Sequence, residues 1–255
     1  MLNDYITSEL PKYNTGVHKL CYNSRLYWLK IGGESKTSLL RRMIKKLSKF
    51  ELLSFLSTNS TLDSYIRLKH EIKIIDFLYD KGCSVPKIVS YGERYFVTEG
   101  VGQSLSMLSK SSLDSKVLYN IIHKLKEIHA NGVAHGRLVI RDIIVDVKSS
   151  SITFVDFEES ILNASDKLKV RDFLFFIMDL QRLEFITIND KIKILDMWIS
   201  LSTKQENYEL KKLFVILYNL RFLAYIIKIF KPKNKLVNQV LSISKLYLNY
   251  REHNL

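Results

Sequence analysis

The chain reads as an α+β protein of two lobes, a small β-rich one first and a helical one after it. Strand-like runs occupy residues 17–31, 86–99 and 133–155, whereas from Lys167 onward the apolar spacing is helical to the end. No internal repeat or low-complexity linker intervenes, and 255 residues at 47% hydrophobic allow one substantial core or two small lobes. The expected division is 1–100 for the β-rich lobe and 101–255 for the helical one.

Taken in order, VHKLCY and RLYWLKI flank the turn Asn23-Ser24 as the strands of a hairpin would. Residues 39–56 have helical spacing with a basic face formed by Arg41, Arg42, Lys45, Lys46 and Lys49, and a Ser/Thr/Asn cluster ends the helix. Residues 64–80 place Leu68, Ile72, Ile75 and Leu78 on one helical face, stopped at Lys81-Gly82 with Pro86 beyond. The short strands PKIVSYG and RYFVTEG follow. Asp114 can cap a helix carrying Val117, Ile121, Ile122, Leu125 and Ile128, which ends at Asn131-Gly132. VAHGRLVIRDIIVDV and ITFVDFEES then read as two β segments joined by a polar turn, before the helical remainder.

A surplus of 39 Lys and Arg over 26 Asp and Glu gives a net charge of +13, which draws the protein toward a polyanion. Nucleotide, nucleic acid and anionic membrane all qualify on charge. Nucleic acid ranks lowest because no nucleic-acid module accompanies it. The basic helix 39–56 is the element expected to meet anionic membrane, although such faces are commonly just solvated. Cys21 and Cys83 stand in no metal-ligand spacing, and His123 and His129 lie too far apart on one helix to share a metal. A reducing cytoplasm fits this cysteine usage, and the first residues have no secretory pattern.

The residues suited to chemistry are few. Asp156 directly follows a strand of Ile, Phe and Val, where an unpaired carboxylate is costly unless a cation meets it. Asp142, fourteen residues earlier, can share a Mg²⁺ with it, and a turn aspartate paired with Arg141 is the plainer account. Lys30, at the end of LYWLK, can neutralise phosphate from a strand, and Glu71 can orient it. Taken singly they are an edge-strand lysine and a solvated helix glutamate.

Together these pieces resemble the eukaryotic-type protein kinase superfamily. Within it they look most like the small bacterial kinases of lipopolysaccharide core sugars, with their Bud32-like and RIO-like relatives. The motifs are HEIKIIDFLYDKGCSVPKIVSYG, HGRLVIRDIIVD, VDFE and KVRDFLFFIMDL, and the likeness runs over residues 17–182. It implies a bilobal protein-kinase-like fold that uses ATP and Mg²⁺ to phosphorylate a sugar or glycolipid hydroxyl at the cytoplasmic membrane face. It also implies that Lys30 pairs with Glu71, with Glu51 as the alternative. The hinge Thr98-Glu99-Gly100-Val101 would hold adenine through the backbone at Glu99 and Val101, Asp142 and Asp156 would hold the metal, and Asp172 would brace the catalytic loop.

The sequence departs from that pattern where proton transfer occurs. Arg137 stands in the place of the catalytic aspartate, Asp142 in that of the metal asparagine and Glu158 in that of the DFG glycine. The catalytic candidates are therefore Asp142, as metal ligand or base, and Arg137. Between Thr15 and Arg25 only Gly16 remains of a glycine-rich phosphate loop. Two expectations follow from the resemblance and its departures: a phosphotransferase, or a pseudokinase acting as a nucleotide-binding or regulatory interaction module.

Overall fold

In the computed structural model, which describes residues 1–33, 64–113 and 115–253, the chain is mixed α+β. One four-stranded antiparallel sheet is accompanied by two smaller ladders and, among the described residues, eight α-helices. The expected basic helix 39–56, the alternative Glu51 and the cap Asp114 lie outside the described residues.

Strand β1 (Gly16–Tyr22) pairs with β2 (Arg25–Ile31) in unbroken register, from Gly16 opposite Ile31 to Tyr22 opposite Arg25. Asn23 and Ser24 both have positive φ (48° and 61°), which matches the right-handed twist of the strands they join. β2 continues into β4 (Tyr95–Glu99), whose far neighbour is β3 (Ile88–Tyr91). Alternation along the strands buries Leu20, Tyr27, Leu29 and Val97 on one face. The sequence did not announce what covers them: helix α1 (Leu2–Glu9), which drives Ile6 into the cluster at 0% exposure. Lys30, adjacent to Leu29, is carried by the same alternation to the opposite face, toward α2 (Ser64–Asp80).

Helix α2 spans the residues its periodicity predicts. It ends in a left-handed Gly82 (φ 71°), with the Cys83 N–H donating to Leu78 O and the Gly82 N–H to Tyr79 O, the bonding pattern of a Schellman cap. Its apolar face, with Cys83 and Val85 after it, joins the large core formed by α3 (Ser115–Ala130), α4 (Asp166–Asp179), α5 (Ile188–Ser200), α6 (Lys204–Asn219) and α8 (Lys235–His253). At its centre Trp198 is fully buried, stacked on Phe173 at 4.3 Å, with the Lys126 ammonium 3.9 Å above its ring. Capping boxes at Thr187/Asp190 and Thr203/Glu206 start α5 and α6. The short helix α7 (Arg221–Phe230) connects α6 to α8.

The reading of VAHGRLVIRDIIVDV, 133–147, as one β segment is corrected. Only β6 (Val133–Ala134) and β7 (Ile143–Asp146) are extended ladder strands, and a loop closed by a 3-10 turn at Ile140–Asp142 separates them. Among the described residues, 135–142 pair with no strand, and Leu138 and Ile140 are buried in the large core. β5 (Gln103–Ser104), β7 and β8 (Ser151–Phe154) form the second ladder, and β6 pairs with β9 (Ile161–Leu162). Among the described residues no single helix is long and apolar enough to cross a membrane; α6 and α7, bent by 45°, pass on length and composition only as a pair.

Because Ile6 alone of α1 is fully enclosed, Ile6→Ala should cost about 2–4 kcal/mol. Thermal unfolding of the variant should show a clear drop in Tm, whereas an unchanged Tm would mean that α1 does not seal the sheet.

Candidate functional site

The site forms where three distant stretches meet. The Lys30 ammonium of β2 lies 2.7 Å from Glu71 Oε2 on α2 and 2.7 Å from Asp156 Oδ1, just beyond β8. Glu71 is 1% exposed on the face of α2 turned to the sheet, so its charge is confined to this partnership. Lys30 opens onto a cleft of about 250 Å³ lined also by Thr15, Gly16, Gly32, Gly33, Ser64 and Glu158.

Asp156 adopts a left-handed backbone (φ 70°, ψ 54°), a conformation that aspartate and asparagine tolerate better than most residues. Val155 fixes it from behind. The Val155 N–H donates to Asp142 O at 2.9 Å, and its carbonyl accepts from His135 Nε2 at 2.9 Å, which sets the His135 tautomer. Loop 135–142 is pegged in turn by two carboxylates of α4. Asp172, 0% exposed, accepts from the His135 N–H at 2.6 Å, the Gly136 N–H at 2.9 Å and His129 Nε2 at 3.2 Å. Asp179, equally buried, accepts from the Ile140 N–H at 3.3 Å and meets Lys235 at 3.1 Å. Two helical turns separate Asp172 from Asp179, so one face of one helix holds both ends of the loop. Gly136 (φ 96°) lets the loop close: a Cβ there would lie 2.0 Å from Glu159 O.

The Arg141 guanidinium joins the two candidate metal ligands, with Nε 3.1 Å from Asp142 Oδ1 and a terminal nitrogen 3.9 Å from Asp156 Oδ2. A second acidic set, Glu71, Asp156 and Glu158, has ligand oxygens within 4.8 Å of one another. Lys30 already neutralises two of these, and Arg67 reaches Glu158 at 3.3 Å. The oxygens facing a cation that can be displaced are therefore those of Asp142 and Asp156, since Arg141 is 56% exposed on a flexible stem. Such hard carboxylate donors suit Mg²⁺.

Burial sets the proton affinities, and the ion pairs oppose it. Burial pushes Glu71 up to about 7 against the pull of Lys30, and pushes Asp142 up to about 6, with His135 and Arg141 opposing and Asp156 reinforcing. Burial would also raise Asp156, but Lys30 first, then His135 and Arg141, hold it below its ordinary value. For Lys30 burial works downward, and Glu71 and Asp156 outweigh it, so the ammonium persists.

The structure thus brings together Lys30, Glu71, Asp142 and Asp156. Arg137 is exposed at the rim of the loop and pairs with no carboxylate among the described residues. Glu99 and Val101 are half-buried in the link between β4 and β5. The Glu99 N–H is used by Lys87 O and that of Gly100 by Leu26 O. Sequence reasoning missed Asp179, Arg67 and the contribution of Glu158. The heptad spacing of Asp172 and Asp179 on one apolar helix was the available signal for the first; the other two depend on contacts across more than ninety residues.

No family model matches the chain. It is similar to an uncharacterized protein of Haemophilus influenzae (strain ATCC 51907 / DSM 11121 / KW20 / Rd), 27% identical over 260 residues that span 97% of this chain and 96% of that one. The alignment takes in the sheet, the pegged loop and the C-terminal helices together.

Asp172→Ala strands two buried N–H groups and should cost about 3 kcal/mol or more, read as loss of Tm. Asp142→Asn should act in the other direction. A carboxyl whose folded pKa is raised weakens folding as pH rises from the unfolded value, about 4, through the folded one. Asparagine removes that penalty, so its Tm should exceed the parent's by about 4 °C at pH 8, with the gain shrinking toward pH 4. A gain independent of pH would contradict the assignment.

Proposed function

We propose that this chain is an ATP- and Mg²⁺-dependent phosphotransferase of the bilobal protein-kinase-like type, acting on a hydroxyl acceptor. The observation that carries the reading is the Lys30 ammonium held at 2.7 Å from both Glu71 and Asp156, residues from three separate stretches of chain, at the edge of a cleft that Lys30 and Glu71 line. A fixed cation beside two carboxylates with affinity for a metal is what binding a triphosphate requires. Lys30 would contact phosphate oxygens, Glu71 would keep it in place, and the backbone at Glu99 and Val101 would receive the base. Asp156 and Asp142 would hold Mg²⁺, which when bound supplies neutralisation of phosphate charge. Asp142 is also the carboxylate available to accept the acceptor's proton where Asp156 alone holds the metal, a role the Arg137 guanidinium cannot take. The resemblance to lipopolysaccharide core kinases supports a sugar hydroxyl as acceptor.

Two observations favour a second reading, a pseudokinase that binds nucleotide as a regulatory module without transferring phosphate. Arg137 occupies the place of the usual base, and the β1–β2 turn is a tight two-residue Asn23-Ser24 loop that offers no glycine-rich cradle.

Thermal unfolding with ATP, with and without Mg²⁺, tests both readings. A ligand at about a hundred times its Kd adds roughly 2.7 kcal/mol, a shift of several degrees. The Mg²⁺-dependent part of the shift should vanish in Asp156→Asn, a substitution that keeps the left-handed backbone. Phosphotransfer should vanish with it, and unchanged turnover in this variant would sink the enzyme reading. A shift without turnover in the parent protein selects the second reading; no shift at all discards both.

A further inference from the structure

Helix α7 is nearly all apolar, RFLAYIIKIF, yet only Ala224 is buried in it and Ile227 is half-buried against the core. Phe222, Leu223, Tyr225, Ile226, Ile229 and Phe230 are exposed by 73, 53, 59, 40, 77 and 79%. At about 100° per residue these six fall on one continuous arc of roughly 160°, with Ala224 on the reverse side. Exposed large apolar side chains in such density are uncommon on a protein that meets only water.

Its surroundings are strongly basic. From Lys211 to Arg251 the chain carries nine Lys and Arg and not one Asp or Glu. Lys228, on α7 itself, and Lys231 and Lys233, just past its end, are exposed. We propose that α7 is an interfacial helix that seats this protein on an anionic lipid bilayer, with the apolar arc at the level of the acyl chains and the lysines among the headgroups. An amphipathic helix with cations at the border of its apolar face suits that plane, because long lysine stems reach back to charged headgroups while the rings and aliphatics enter. A second copy of this chain would set cations against cations, which argues against self-association through the same face.

The alternative of a span is closed by packing. Helix α6, the other half of the bent pair, buries Leu210, Leu213, Phe214 and Leu217 in the protein core, so only α7 is available to lipid. The contact is therefore on the membrane, not through it. The inference is independent of the phosphotransfer reading, and it places the lipid contact elsewhere than on the basic segment 39–56.

Sedimentation of the full chain with vesicles tests it, using phosphatidylcholine alone and phosphatidylcholine with phosphatidylglycerol. Binding should be at least about tenfold tighter to the anionic vesicles and should weaken in about 0.5 M salt. The double substitution Ile229→Asp/Phe230→Asp should abolish it without lowering Tm, since both side chains are in solvent already. Lys228→Glu/Lys231→Glu/Lys233→Glu should reduce it by about fivefold or more per charge. A tryptophan placed by Phe230→Trp should shift its emission to the blue on anionic vesicles. The proposal is overturned if the parent protein ignores anionic vesicles, or if the aspartate double variant binds them as well as the parent. It is likewise overturned if gel filtration shows a dimer that this variant dissociates.

Discussion

Lys30 is an ammonium group with one-fifth of its side chain left in water, and it would be intolerable there without Glu71 and Asp156. The requirement also runs the other way, because Glu71 is enclosed and its pKa is already driven upward by burial. Much of the architecture serves to keep these three groups in register. The alternation of β2 turns Lys30 away from Leu29 and the α1 side of the sheet, the apolar stripe of α2 locks the rotation that presents Glu71, and Val155, bonded on both sides, sets the direction of Asp156. Losing one member leaves a charge in low dielectric, so the site and the fold share one electrostatic condition.

The elements visible in the sequence are those whose signal is local. The hairpin at Asn23-Ser24, the helix 64–80 with its glycine stop and the helices after 166 follow from period and punctuation within a dozen residues. Asp142 and Asp156 could be named as charged residues in apolar company, a statement about a neighbourhood of the chain, whereas Lys30 and Glu71 are ordinary when read singly and only the resemblance pairs them. What escaped is non-local. Helix α1 is short and mostly polar, and one enclosed isoleucine, with Leu2 and Tyr5 packed beside it, secures it. The loop at 135–142 looks extended because it is apolar, yet its N–H groups bond to carboxylates about forty residues downstream. Periodicity cannot report a hydrogen bond of that reach, and the same limit hid Arg67 against Glu158.

Helix α4 accordingly has a larger part than its length suggests. It is buried on nearly every side, and its two enclosed aspartates spend their lone pairs on backbone that has no sheet partner. Irregular backbone can then be as well determined as a strand. Arg141, by contrast, is half in solvent and reaches both Asp142 and Asp156, so the charge balance around these carboxylates includes one exposed cation and one, Lys30, that is largely enclosed.

The contact between Lys235 and Asp179 links two regions otherwise far apart in purpose. Only residues 231–234 separate the exposed end of α7 from Lys235, and Asp179 in turn holds the Ile140 N–H of the pegged loop. Four residues and one ion pair thus connect the surface helix to the aspartate that bonds the loop two residues before Asp142. The Lys235 side chain lies largely in water while Asp179 is enclosed, so this one ion pair stands where solvent-facing chain meets the buried support of the loop.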